Sequence, residues 1–79
     1  MTDRIKEVFI RELGIDENLY SEHLSYNSVP EWGSASHIVL VLALEERFGV
    51  ELSSDEIVSM TNVEKIRNVL HLKGVAVDA

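Results

Sequence analysis

A serine at the start of an apolar helix is the residue of this chain best suited to chemistry. Residues 31–37 read EWGSASH, and an unbroken apolar run follows from Ile38 to Leu44. Ser34 offers a hydroxyl oxygen that can form a phosphodiester bond. Unpaired N–H groups and the positive end of the helix dipole favour a phosphate at a helix N-terminus. Ser34 is therefore the first candidate site residue.

Two neighbours of Ser34 offer other chemistry. Ser36 competes with Ser34, both for capping the helix and for modification. His37 is a conceivable general base, but no acidic residue that would orient it is identifiable, and its position on the core face predicts a partly buried, hydrogen-bonded histidine. His23 and His71 have no metal-ligand spacing to a carboxylate. We expect neither catalytic residues nor a metal site, so the chain is not predicted to be an enzyme.

The composition is that of one small acidic domain over residues 1–79, without cysteine. Lys and Arg number 7 and Asp and Glu 14, a formal net charge of −7. This charge disfavours nucleic acid and favours basic protein surfaces. Without cysteine, thiol chemistry requires an attached group. The charged N-terminal residues and the lack of an apolar run of about 18 residues predict a cytoplasmic protein with no membrane span.

Helix signals predict the first half of the fold. Apolar residues at helical spacing before Gly14 predict a helix over roughly residues 3–13. Residues 15–33 are rich in turn-forming residues and predict a long loop. Four apolar side chains are expected to hold that loop against the core: Leu19, Tyr20, Leu24 and Trp32. A second helix is predicted from Ser34 or Ser36 to Phe48, followed by a C-terminal glycine.

Two capping-box patterns predict the remaining helices. Ser53 with Glu56 begins a short third helix, and Thr61 with Glu64 begins a fourth. The predicted fold is all-α, a small four-helix bundle with a long loop between helices 1 and 2 and a short third helix. Residues 75–79 are expected to need no regular structure.

The second helix is predicted to have two apolar faces. One face follows the spacing of a core-facing helix: His37, Leu40, Val41, Leu44 and Phe48. The opposite face carries Val39, Leu42 and Glu46. Exposed aliphatic residues rimmed by Glu45, Glu46 and Glu51 suit a transient docking surface, although single exposed aliphatic residues are also normal on any protein. Their proximity to Ser34 favours docking, and we predict docking residues Val39, Leu42, Glu45 and Glu46.

These motifs resemble the acyl and peptidyl carrier protein family over roughly residues 3–72. The resemblance includes the order of helices, the long first loop, and the segment FGVEL at residues 48–52 followed by DEI at residues 55–57. In that family the serine lies in an Asp-Ser-Leu motif that begins the second helix. The family spacing from ALEE at residues 43–46 places the serine at Ser34 rather than Ser36. With Trp32 before the serine and His37 after it, the segment resembles the motif Trp-Asp-Ser-Leu-x-His of a subgroup of free-standing carriers.

The resemblance implies that Ser34 receives a 4′-phosphopantetheine arm from coenzyme A through a phosphopantetheinyl transferase. Acyl, hydroxyacyl or aminoacyl groups then travel as thioesters on the thiol of the arm. Further implied partners are a loading ligase and a downstream transferase or synthase, in fatty acid or specialised metabolite biosynthesis. We expect a monomer.

Two positions depart from the family motif, since Gly33 replaces the aspartate and Ala35 the leucine. Gly33 removes a carboxylate that presents the serine to the transferase. One alternative is therefore an unmodified, carrier-like protein-interaction module. In that interpretation Gly33 supplies a positive-φ turn and Ser34 only an N-cap.

Overall fold

Four α-helices and one 3₁₀ turn make up the regular helical structure of residues 3–75, the part of the chain that the computed structural model describes. The helices are α1 (Arg4–Leu13), α2 (Ser34–Phe48), α3 (Ser54–Ser59) and α4 (Val63–Leu72), and the 3₁₀ turn is Glu17–Leu19. The all-α fold, the long first loop and the short third helix are confirmed. Between residues 3 and 75 no helix is both long and apolar enough to span a bilayer. The prediction for residues 76–79 lies outside the described residues.

Helix α1 begins and ends as its sequence predicts. The side chain of Asp3 accepts hydrogen bonds from the N–H groups of Ile5 and Lys6, both at 3.1 Å. Gly14 has a φ of 66° and its N–H donates to the carbonyl of Ile10. A left-handed glycine after the last helical residue closes a helix with little steric cost.

The core consists of apolar side chains from α1, α2 and α4, from the long loop and from the segments on either side of α3, and the half-buried Ile57 of α3 packs against it. Its largest member is Trp32, which is fully buried although it belongs to the loop. The Trp32 ring packs edge-on against Phe9 of α1, with ring centroids 5.0 Å apart. Edge-to-face packing of this kind is a favoured aromatic geometry. The predicted core face of α2 is confirmed, since Leu40, Val41 and Leu44 are buried and His37 and Phe48 are half-buried.

The loop is held to the core by three of the four predicted side chains. Leu24 is buried and Tyr20 packs against the core, as Trp32 does. Leu19 is a correction, because it lies in the 3₁₀ turn and is 47% exposed. Ile15, directly after the glycine that ends α1, is buried in its place.

The two predicted capping boxes differ in outcome. In the first, Ser53 and Glu56 exchange hydrogen bonds between side chain and backbone at 3.2 and 2.9 Å, which confirms it. The second is wrong, because α4 is capped by Asn62, whose side chain accepts from Lys65 N–H at 2.8 Å. The carbonyl of Thr61 instead accepts from Tyr26 N–H, so residue 61 pairs with the loop and the helix begins later.

A polar network joins the start of α1, the loop and α4. Arg67 donates to Asp3 at 3.0 Å and to Glu22 at 2.7 Å, and the Tyr20 hydroxyl donates to Asp3 at 3.1 Å. Partial burial raises the pKa of Asp3, but the hydrogen bond from Lys6 N–H and the hydrogen bond and charge of Arg67 outweigh it. The pKa of Asp3 is therefore lowered below its usual value of 3.8. The folded state favours ionised Asp3.

This network predicts a pH dependence of stability. A carboxyl group whose pKa is lowered by folding stabilises the fold above its unfolded pKa, and that contribution disappears as pH falls through the folded pKa. We expect the free energy of unfolding to decrease below about pH 4. The variant Asp3→Asn keeps a good N-cap but has no titrating carboxyl. Urea unfolding between pH 2.5 and 7 should show a smaller acid loss in Asp3→Asn, and equal losses in both proteins would contradict the assignment.

Candidate functional site

Ser34 is the first residue of α2, and it is exposed. Gly33 occupies the N-cap position with φ −117° and ψ −167°, an extended conformation. The expectation of a positive-φ glycine with Ser34 as the N-cap is therefore wrong. Ser36 is the third residue of α2. Its hydroxyl accepts a hydrogen bond from Gly33 N–H at 3.0 Å. Ser36 thus has a structural role, which leaves the hydroxyl of Ser34 for other partners.

The N-terminus of α2 has no side-chain cap. The other three α-helices of the described chain are capped by the side chains of Asp3, Ser53 and Asn62. Gly33 has no side chain with which to accept from the first N–H groups of α2. Unsatisfied N–H groups and the helix dipole together favour an anion at this end. The exposed hydroxyl of Ser34 therefore lies where a phosphate would be stabilised.

A chain of two hydrogen bonds fixes the position of this helix start. The indole Nε1–H of Trp32 donates to Nδ1 of His37 at 3.0 Å, and Nε2 of His37 lies 3.0 Å from the carbonyl oxygen of Ile57. Since Nδ1 accepts, the proton of a neutral imidazole is on Nε2 and is donated to that carbonyl. His37 therefore links the loop, α2 and α3.

Both ring nitrogens of His37 are occupied by these bonds, so His37 is not free to take a proton from Ser34. The ring is half-buried, stacks on Trp32 and meets Tyr26 edge-on at 5.4 Å. The predicted hydrogen-bonded, partly buried histidine is confirmed. A Ser-His hydrolase would need the imidazole to face the serine and a carboxylate to orient it, and this geometry provides neither.

A hollow of about 280 Å³ lies beside Ser34. Its walls come from the loop, α2, α3 and the turn before α4: Tyr26, Ser34, His37, Val58 and Thr61. The sequence did not identify Tyr26, Val58 or Thr61, because they are distant in sequence and meet only through the fold. The available sequence signals are an aromatic residue between two polar ones, Tyr26, and the aliphatic Val58.

The outer face of α2 is apolar, as predicted. Val39 and Leu42 are 48% and 59% exposed, and Glu46 is exposed. Ile38, which the sequence reading did not single out, is 53% exposed and lies one helical turn after Ser34. Glu45 is half-buried and accepts a hydrogen bond from Leu52 N–H at 2.8 Å, so this predicted docking residue also holds the segment after α2.

Val39, Leu42 and Glu46 line one wall of a groove between α1 and α2, with a volume of about 490 Å³. Arg11 and Glu12 of α1 lie on the other wall. Three predicted docking residues therefore face α1, whereas the exposed apolar stripe that leads along α2 to Ser34 is formed by Ile38 and Leu42. No known protein-family model matches this chain.

The difference in exposure between two leucines of α2 predicts that their truncation changes the stability of the domain by very different amounts. Leu42 is exposed and Leu44 is fully buried. Truncating a buried leucine typically costs about 2–5 kcal/mol, whereas an exposed site usually changes stability by no more than about 0.5 kcal/mol. Leu44→Ala should therefore lower the melting temperature strongly and Leu42→Ala hardly at all. Equal losses in thermal melts of the two variants would show that α2 is buried on both faces.

Proposed function

We propose that this chain is a free-standing carrier protein. It holds an acyl, hydroxyacyl or aminoacyl group as a thioester on a 4′-phosphopantetheine arm attached to Ser34, and it presents that group to biosynthetic enzymes. The observation that carries the proposal is the exposed Ser34 hydroxyl at the uncapped N-terminus of α2. The resemblance of the sequence around it to the carrier family is the second support.

The attachment chemistry suits these residues. The Ser34 oxygen attacks the phosphorus of coenzyme A that bears the pantetheine arm, and a new P–O bond forms. The pyrophosphate P–O bond breaks, adenosine 3′,5′-bisphosphate leaves, and the serine proton passes to a base of the transferase. The resulting phosphodiester anion lies at the free N–H groups of α2. The arm supplies the thiol that the cysteine-free chain lacks.

The surface around Ser34 suits transient docking. Ile38, Leu42 and Val58 are exposed apolar side chains. The formal charge of −7 favours partners with basic surfaces and speeds their encounter. The implied partners are the phosphopantetheinyl transferase, a loading ligase and a downstream transferase or synthase.

A second candidate function rests on Gly33. If the transferase needs the carboxylate that the family usually carries before the serine, this chain is an unmodified interaction module that uses the same apolar surface. The backbone does not demand glycine here. Its φ of −117° is open to any residue, and a Cβ at Gly33 would meet only Asn27 Oδ1, at 3.9 Å.

Modification at Ser34 is tested by incubating the protein with coenzyme A and a broad-specificity phosphopantetheinyl transferase. Intact mass should increase by one phosphopantetheinyl group in the wild type and in Ser36→Ala. Ser34→Ala should gain nothing. Circular dichroism checks that both variants fold, since losing the hydrogen bond from Gly33 N–H to the Ser36 hydroxyl costs only about 1 kcal/mol. Modification of Ser34→Ala would overturn the assignment.

Restoring the family carboxylate should speed modification. Gly33→Asp fits the extended backbone and should stabilise α2 by a few tenths of a kcal/mol as an N-cap. Gly33→Asn is the matched control, because it caps the helix without the charge. We expect the initial rate of modification to rise in Gly33→Asp and not in Gly33→Asn. An unchanged or lower rate in Gly33→Asp would show that transferase recognition is matched to glycine.

A further inference from the structure

Among residues 3–75, Asn27 is the one residue other than glycine that has a left-handed backbone conformation, with a φ of 65°. Its N–H donates to the carbonyl of Trp32 at 2.8 Å, so the loop turns back on itself between these two residues. A side chain makes this conformation sterically costly, and asparagine is among the residues that tolerate it best. The turn brings Asn27 to the residue that precedes Gly33, at the start of α2.

The side chain of Asn27 lies beside Gly33. A Cβ on Gly33 would be 3.9 Å from Asn27 Oδ1, which is an ordinary van der Waals contact. Asn27 Oδ1 therefore borders the space that a side chain at residue 33 would enter. Ser34 is the next residue in the chain, and its hydroxyl is exposed. A loop amide and the candidate attachment serine thus flank the same glycine.

The fold does not use the amide of Asn27. The residue is exposed, and its side chain forms no hydrogen bond with any part of the chain that the structure describes. The nearby hydroxyls of Ser25 and Ser28, in contrast, donate to backbone carbonyls at 2.9 and 2.6 Å. Glycine would form the same left-handed turn without steric cost. The turn accounts for a left-handed residue at this position and leaves the amide available to a partner.

We infer that Asn27 is a recognition residue for the transferase that modifies Ser34. This inference rests on the proposed function. In the carrier family motif, a carboxylate on the residue before the serine presents the serine to the transferase. Here that residue is Gly33, and the amide of Asn27 borders the space left without a side chain. The amide oxygen accepts hydrogen bonds as a carboxylate does, but without the charge. The transferase therefore meets a neutral acceptor that comes from the loop.

The test measures kcat/KM for modification by coenzyme A and the broad-specificity transferase. Asn27→Gly removes the amide and keeps the left-handed turn, so the melting temperature should hardly change. Loss of one hydrogen bond to the transferase should lower kcat/KM about two- to tenfold. Asn18→Gly is the matched control, because it removes an exposed asparagine from the 3₁₀ turn of the same loop. It should leave kcat/KM unchanged.

A double variant separates recognition from damage to the loop. If the Asn27 amide replaces the missing side chain at residue 33, Gly33→Asp should make it dispensable. The double variant Asn27→Gly with Gly33→Asp should then be modified as fast as Gly33→Asp alone. A purely structural effect of Asn27→Gly would lower the rate equally in both backgrounds. The NMR signal of the Trp32 indole N–H should stay unchanged in Asn27→Gly, which checks that α2 still begins in its place.

Three results would contradict the inference. Wild-type kcat/KM in Asn27→Gly would show that the transferase does not contact the amide. An equal loss in the presence of glycine and of aspartate at residue 33 would assign Asn27 to the structure of the loop. A lack of modification in the wild type and in all variants would be a failure of the proposed function itself, and intact mass distinguishes it from the other two results.

Discussion

The hydrogen bond between Trp32 and His37 is the constraint on which the position of Ser34 depends. Trp32 is fully buried, and a buried indole N–H without an acceptor would cost about 1–3 kcal/mol. His37 supplies that acceptor and uses its other nitrogen to hold the Ile57 carbonyl. Ser34 lies between the two bonded residues in sequence. The burial of one aromatic ring therefore sets the start of α2 against both the loop and α3.

This arrangement separates the roles of neighbouring residues. The inner side of α2 carries Leu40, Val41 and Leu44, which are buried and stabilise the domain. The outer side carries Ser34, Ile38 and Leu42, which are exposed and contribute little to folding. A helix that is anchored on one side can therefore leave a serine and apolar side chains exposed on the other without losing stability.

Local signals predicted most of the fold. Glycines at helix ends, the capping box of Ser53 and the helical spacing of apolar residues each act within a few residues, so a single sequence contains them. The failures required knowledge of distant contacts. Asn62 replaces Thr61 as the cap because the Thr61 carbonyl pairs with Tyr26, which is far away in sequence.

The candidate site was predictable to the same extent as the fold, in its local features but not in its distant contacts. The sequence predicted that α2 begins at Ser34 or Ser36, and the face on which His37 lies predicted its structural nature. The hollow beside Ser34 did not, because Tyr26, Val58 and Thr61 come from three separate segments. The extended conformation of Gly33 was also missed, since a glycine before a helix is compatible with either sign of φ.

We propose that Ser34 carries a covalent arm in the cell. The most direct measurement is the intact mass of the protein purified from the cells that make it, followed by mass spectrometry of the peptide that contains Ser34. We expect a mass higher than that of the polypeptide by a phosphopantetheinyl group, with or without an acyl group, located on Ser34. A mass equal to that of the unmodified polypeptide in all of the protein would contradict it.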